Sequence, residues 1–291
     1  MKNQLQCGRF SFELAGPDSL RPVVMGILNV TPDSFSDGGR YQGLEFALGH
    51  AEDMIRHGAT MIDIGGESTR PGAPPVPLEE ELRRVMPALY ALKTLDVALS
   101  VDTCKPQVMR EALIAGADMI NDINGFRAPG ALDAVLDSDC GLCVMHMQAT
   151  PETMQQAPQY GDVVGEVIGF LRERVDAMTA AGIARARICV DPGFGFGKTV
   201  EHNYALLHGL RRIRDELDLP VLAGMSRKSM IGAVTGRPLE GRMPGSIGAA
   251  LAAVAHGARI VRVHDVAETV DALKVWHAAM NPGASASAAT V

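Results

Sequence analysis

Val23-Val-Met-Gly-Ile-Leu-Asn-Val30 is apolar at every position but Gly26 and Asn29, and it closes on an amide. Runs that are apolar on both alternating sets of positions belong to strands covered on both faces, as in a parallel sheet. The same kind of run recurs at Met61–Gly65, Ala98–Thr103, Met119–Ile123, Gly141–Met147, Ile188–Pro192, Val221–Ser226 and Arg259–Asp265, making eight in all.

Helix-period segments lie between these runs. Leu44, Leu48, Ala51 and Ile55 repeat at helical spacing, with Gly58 placed to cap the end. Pro106 suits the first position of a helix. Val164, Ile168, Leu171 and Val175 mark another helix, and Leu206, Leu210, Ile213 and Leu217 the next. The Ala-rich stretch 245–256 suits close packing on a sheet, and Pro87 predicts a kink or break within 78–93. Eight β/α units in this length predict a single-domain (β/α)8 TIM barrel over residues 1–281, with a doubly wound open sheet as the alternative. Residues 7–14 alternate as a short N-terminal hairpin would, and 282–291 reads as a disordered tail.

Composition narrows the function. The 291 residues are 47% hydrophobic and 21% charged, with a formal net charge of -7. No basic run points to nucleic acid. No stretch approaches the apolar length of a membrane span. The five Cys are odd in number, and three fall in strand-like runs, so a reducing cytoplasm is the expected compartment.

In a barrel the C-terminal ends of all strands meet on one face, where chemistry sits. The runs here end in Asn29, Asp63 with Glu67 beyond, Asp102, Asn121 with Asp122, His146, Asp191, Ser226 with Lys228, and Arg262 with His264. So many ionisable groups on apolar strands must pair with one another or receive a polar ligand. Singly, each has a plainer reading: Asp102 as a helix N-cap, Asp63 as a partner to a neighbouring cation, His146 as a satisfied core histidine. His50, His57, His202, His208, His256 and His277 are expected at helix surfaces or ends. The segments 31–41 and 65–77 are long for βα loops and rich in Gly, Ser and Pro, which suits lids.

Two motifs mislead. Gly193-Phe-Gly-Phe-Gly-Lys-Thr199 lacks the first Gly of a phosphate-binding P-loop, because residue 192 is Pro; it reads as a flexible loop. Cys140-Gly-Leu-Cys143 opens a strand and has no second pair, so it reads as structural rather than redox or zinc-binding.

Gly26-Ile-Leu-Asn-Val-Thr-Pro-Asp-Ser-Phe-Ser-Asp-Gly-Gly39 and Ile62-Asp-Ile-Gly-Gly-Glu-Ser-Thr-Arg-Pro-Gly72 resemble the two signatures of the dihydropteroate synthases. Ser100–Thr103, Ile120–Ile123, Val144–Met147, Asp191–Phe196, Ser226–Ser229 and Val261–His264 follow in that family's order, across roughly residues 5–280. The resemblance implies a transferase that joins 6-hydroxymethyl-7,8-dihydropterin diphosphate to 4-aminobenzoate. It implies a pterin site at Asp102, Asn121, Met145, Asp191, Lys228 and Arg262, and a diphosphate site at Asn29, Thr69, Arg262 and His264. Asn29 would be the ligand to Mg2+. The 4-aminobenzoate pocket would comprise Phe35, Thr69, Arg70, Pro71, Phe196 and Ser229, and the catalytic groups Asp102, Lys228, Arg262 and His264. A homodimer, formed through the last helices, is also implied. A corrinoid-dependent methyltransferase and a catalytically silent pterin-binding protein are the competing readings.

Overall fold

The computed structural model describes residues 4–14, 21–31, 39–70 and 72–281, of which 39–42 by their backbone alone. Eight parallel strands lie in the order expected of a barrel: β3 (Val23–Asn29), β4 (Met61–Gly65), β5 (Ala98–Asp102), β6 (Met119–Asp122), β7 (Gly141–Met145), β8 (Ile188–Asp191), β9 (Leu222–Ala223) and β10 (Ile260–Val263). Pairing runs β8-β7-β6-β5-β4-β3-β10-β9, and a parallel bridge between Val190 and Val221 closes the ring. The open sheet is thereby excluded.

A period of two decides what faces where. Met25, Met61, Ala98, Met119, Cys143, Cys189, Leu222 and Ile260 fill the barrel's lower interior as one cluster. Their sequence neighbours, among them Ile62, Leu99, Ile120, Leu142, Ile188 and Val261, pack outward against helices. This double burial is why the runs lack alternation. The antiparallel hairpin of β1 (Gln4–Cys7) and β2 (Phe10–Glu13) covers the lower end, inserting Leu5 and Cys7 into the same cluster. Arg9 fastens it, through Asp118 at 2.8 Å.

The helices are α1 (Gly39–Arg56), α2 (Leu78–Leu92), α3 (Pro106–Ala115), α4 (Ala131–Val135), α5 (Val163–Ala180), α6 (Val200–Leu217), α7 (Ser229–Thr235), α8 (Met243–Ala255) and α9 (Val266–Met280). Gly58 ends α1 with φ +101°, letting its N–H and that of Ala59 reach the carbonyls of Ile55 and Met54. The predicted apolar faces of α5 and α6 are buried at every named position. α1 starts at Gly39, so the first long loop is shorter than read, and residues 32–38 of it lie outside the described residues. The 282–291 segment lies outside them too.

Two expectations fail. β9 stops at Ala223 rather than Ser226. The chain turns there, with the Lys228 N–H bonded to the Met225 carbonyl and Arg227 at φ +58°, and the Ser226 hydroxyl oxygen accepts the His264 N–H at 3.2 Å. Pro87 does not break α2, since the helix runs unbroken to Leu92. Pro87 is on the exposed face, where water can take the carbonyl it leaves unpaired, while Val85, Ala88, Leu89 and Leu92 hold the buried face. Replacing Pro87 with Ala should restore that bond and stabilise the protein by about 1–3 kcal/mol in urea unfolding. A lower midpoint would show that the pyrrolidine ring makes a contact worth more than the hydrogen bond.

Candidate active site

The inward parity that places Met61, Ala98, Met119, Cys189 and Ile260 in the lower core continues upward to Asp63, Ser100, Asn121, Asp191 and Arg262. One step along the same strands, the interior changes from apolar to ionic. Asp63 is fully buried. It accepts from Ser100 Oγ at 2.6 Å, Asn121 Nδ2 at 3.1 Å and Arg262 Nε at 2.6 Å. Arg262 Nη2 donates to Asp102 Oδ2 at 2.9 Å. The guanidinium therefore spans two carboxylates. Burial alone would weaken its charge, but Asp63 and Asp102 hold its pKa above the usual arginine value. Burial pushes the Asp102 carboxyl up, against the pull of Arg262. Asp102 is not a helix cap, because Lys105 occupies that position before α3.

Asp191 and Lys228 bring a second set of opposite charges to the mouth, each within the other's field. Burial raises the Asp191 carboxyl, opposed by Lys228, and the Gly193 N–H donates to Oδ1 at 2.7 Å. Burial lowers Lys228 to about 8, opposed by Asp191. Its Nζ donates to the Phe194 carbonyl and lies 4.7 Å from the centre of the Phe196 ring. Met145 and Phe196 are buried beside them in one apolar cluster.

His264 and Asn29 stand at the rim. His264 Nδ1 is 3.0 Å from Ser226 Oγ. Burial, then Arg262 and Arg227, lower the imidazole to about 4, so it is neutral at pH 7. Arg70 is exposed, yet close enough for its charge to be felt at His264. Asn29, Gly65, Asp102 and Asn121 are successive register partners across four strands. Gly65 has no side chain to fill the space between Asn29 Oδ1 and Asp102, and a Cβ there would lie 3.7 Å from the first and 3.8 Å from the second. Thr69 lines a cavity of about 240 Å3 together with Asp102, Glu67 and Cys104. Ser229 is exposed at the start of α7. Phe35 and Pro71 lie outside the described residues.

The family model described as "Pterin binding enzyme" matches residues 25–264. The chain is 51% identical over 265 residues to the dihydropteroate synthase of Escherichia coli K12, covering 91% of this chain and 94% of that one. The chain belongs to the pterin-binding enzymes, among the dihydropteroate synthases. The dihydropteroate synthase of Burkholderia cenocepacia complexed with 7,8-dihydropteroate is 57% identical, with a TM-score of 0.86 over 96% of this chain and 97% of that one. The dihydropteroate synthase of Xanthomonas albilineans with 4-aminobenzoic acid is 51% identical, with a TM-score of 0.89 over 96% and 99%.

Of the residues that this family membership nominates, the fold joins Asp102, Asn121, Met145, Asp191, Phe196, Lys228 and Arg262 around one mouth, with Asn29, Thr69 and His264 at its edge. Asp63 is the partner to a cation that its plainer reading expects, the cation being Arg262; its parity with Met61 is the signal that it points inward. Sequence reasoning missed Lys198. The Gly193–Gly197 loop is not loose: Lys198 is 3% exposed, and its Nζ donates to the carbonyls of Gly193 and Phe196 at 2.9 Å each and meets His146 Nδ1 at 2.9 Å. Gly193, at φ +72°, passes so close to His146 that a Cβ would fall 1.8 Å from its carbonyl oxygen. Asp122 is structural, binding the N–H groups of Asn124 and Phe126 at 2.7 Å each. Cys140 and Cys143 are buried free thiols, as the strand reading required.

His146 is the satisfied core histidine of the plainer reading, lowered to about 3 by burial and then by Lys198. The unfolded chain takes up its proton below the ordinary value of 6.5, whereas the fold refuses it until about 3, so this group removes stability as pH falls through that window. Relative to a His146→Gln variant, the wild type should lose about 2 kcal/mol between pH 7 and pH 5 in urea unfolding. Parallel pH dependence of the two proteins would show that the imidazole is protonated in the fold.

Proposed function

We infer that the chain condenses 6-hydroxymethyl-7,8-dihydropterin diphosphate with 4-aminobenzoate, giving 7,8-dihydropteroate and diphosphate. The observation that carries this is the ionic layer on top of an apolar barrel: two carboxylates, an amide, an ammonium and a guanidinium around one opening. A pterin presents an edge of alternating N–H donors and acceptors and a flat face. Asp102, Asn121, Asp191 and Lys228 match the edge, Arg262 matches the face, and Met145 supplies an apolar wall.

The reaction breaks the C–O bond from the pterin methylene to diphosphate and forms a C–N bond to the arylamine, whose displaced proton leaves to solvent. Charge separation makes the barrier. Arg262 carries a charge secured by Asp63, so it can face the departing diphosphate without reorganising. His264, neutral before binding and with Nδ1 directed to Ser226, offers Nε2 as a hydrogen-bond donor to the same group. The Asp102 carboxylate stands where positive charge develops on the pterin. Thr69, Arg70, Phe196 and Ser229, with Phe35 and Pro71, receive the 4-aminobenzoate, and the closing loops exclude water.

The donor set fits Mg2+ that arrives with the diphosphate. Among the described residues no group of three or more His, Cys, Asp or Glu could cage a metal. Asn29 Oδ1 instead borders the notch left by Gly65, a single hard oxygen beside the site of the phosphates. Mg2+ characteristically takes few protein ligands and completes its shell with phosphate and water. When bound, it neutralises charge on the leaving diphosphate.

Two further readings accompany the activity. Among the described residues no helix is long and apolar enough to cross a membrane, and the five free thiols suit a reducing cytoplasm. A homodimer through the last helices is supported by the exposed apolar side chains Val234, Val275 and Met280.

Purified protein with both substrates and Mg2+ should release dihydropteroate and diphosphate in equal amounts, and EDTA should stop it. Asp102→Asn should fold, bind pterin diphosphate and lose about a hundredfold in turnover. Unchanged turnover in that variant would remove the proposed stabilisation of the pterin cation. Binding of pterin diphosphate by the wild type without product would leave only a binding protein.

A further inference from the structure

The segment between β4 and α2 is tied into a ring at its neck. Glu67 Oε1 accepts the N–H of Val76, nine residues on, at 3.3 Å. Arg84 on α2 donates to the Gly66 carbonyl at 2.9 Å. The second oxygen of Glu67 is bound by the Lys105 ammonium, which also binds Glu81. Glu81 lies in the first turn of α2 with its side chain 1% exposed. Its Oε1 has no protein partner among the described residues.

Lys105 belongs to neither element. It caps α3, three residues beyond Asp102. One ammonium therefore joins the neck of the loop, the helix that follows it and the strand end that carries Asp102. Packing fixes only the base of the neck, where buried Gly66 sits against Val85 of α2; beyond it the loop borders the cavity of about 240 Å3 lined by Glu67, Thr69, Glu81, Asp102 and Cys104. Over that open space directional contacts set the height of Thr69 and Arg70: at the far end the Ala73 N–H donates to the Arg70 carbonyl at 3.0 Å and the Gly72 N–H to the Pro151 carbonyl at 3.4 Å, and at the neck stands the Lys105 network. Lys105 is the cation that faces both carboxylates, and burial, which would lower its pKa, is outweighed by Glu67 and Glu81. Removing it would leave Glu81 as an uncompensated buried charge.

We propose that Lys105 is a positioning residue for the second substrate: through Glu67 and Glu81 it holds the loop bearing Thr69 and Arg70 over the 4-aminobenzoate. This rests on the reading of the site given above. A merely structural ion pair would lower stability and leave the kinetics alone, whereas a positioning role appears as a change confined to one substrate.

Two variants separate these. Glu67→Gln retains an acceptor for Val76 and removes the charge that Lys105 binds. The double variant Lys105→Met with Glu81→Gln removes the cation without stranding a buried carboxylate. Each is measured for KM of both substrates, for pterin diphosphate affinity by calorimetry and for melting temperature. The expected result is a KM for 4-aminobenzoate raised about tenfold in both, with pterin diphosphate affinity within about twofold of wild type and partial recovery in Lys105→Arg. An unchanged KM for 4-aminobenzoate with a lower melting temperature would overturn the proposal, as would an equal loss of pterin diphosphate binding. Glu67→Gln decides alone if the double variant does not fold. A wild type that binds pterin diphosphate but forms no product would overturn the functional reading first, before any variant is compared.

Discussion

A guanidinium inside a barrel stays charged only if the interior supplies its counter-charges in fixed places. Arg262 has two, Asp63 below and Asp102 beside it, at 2.6 and 2.9 Å. Neither carboxylate would be tolerable alone on an apolar strand, and neither would the arginine. Ser100 and Asn121 satisfy the remaining lone pairs of Asp63, so the layer is closed below and open only toward the mouth. The rest of the site is arranged around this: the pterin edge meets groups already oriented by the layer, and the leaving diphosphate meets a cation whose charge is secured before it arrives.

The barrel makes that layer affordable by separating two tasks along the same strands. Below, Met, Cys, Leu and Ile fill the interior and the N-terminal hairpin shuts water out. Above, the same inward positions carry charge. The second set of opposite charges, Asp191 and Lys228, draws on loops as well as a strand, since Asp191 ends β8 and Lys228 follows the turn after β9. The early end of β9 lets the chain turn and bring Lys228 over Phe196, and Lys198 pins the glycine-rich loop on which Phe194, Phe196 and the Gly193 N–H are presented. Lys105 has the corresponding task on the opposite loop. The two loops are thus each held by a lysine that sits outside the sequence positions where a ligand contact is expected.

Much of the fold was legible in the chain. Eight runs, each apolar on both alternations, and the helical spacings between them suffice for a barrel, and the polar residues that end the runs locate the mouth. A break at Pro87 does not occur, and the sequence could not show this because propensity says nothing about which side of a helix faces water. Lys198 was missed because the glycine-rich stretch reads only as a flexible loop, and the carbonyls that hold its ammonium are gathered only when that loop folds around it. That Asp63 meets a cation was legible, but which one was not, because its partners lie at residues 100, 121 and 262, far apart in sequence and adjacent only once the ring closes.

Local chemistry, then, determined the strands, the helices, the family motifs and the residue types available at the mouth, because periodicity and motif order are properties of neighbours along the chain. Tertiary structure alone decided which carboxylate holds Arg262, that His264 is neutral, that Asp122 serves a turn, and that Lys105 and Lys198 are bound inside rather than free. Those outcomes depend on burial and on charges brought together from distant strands, and both come into existence only when the barrel is closed.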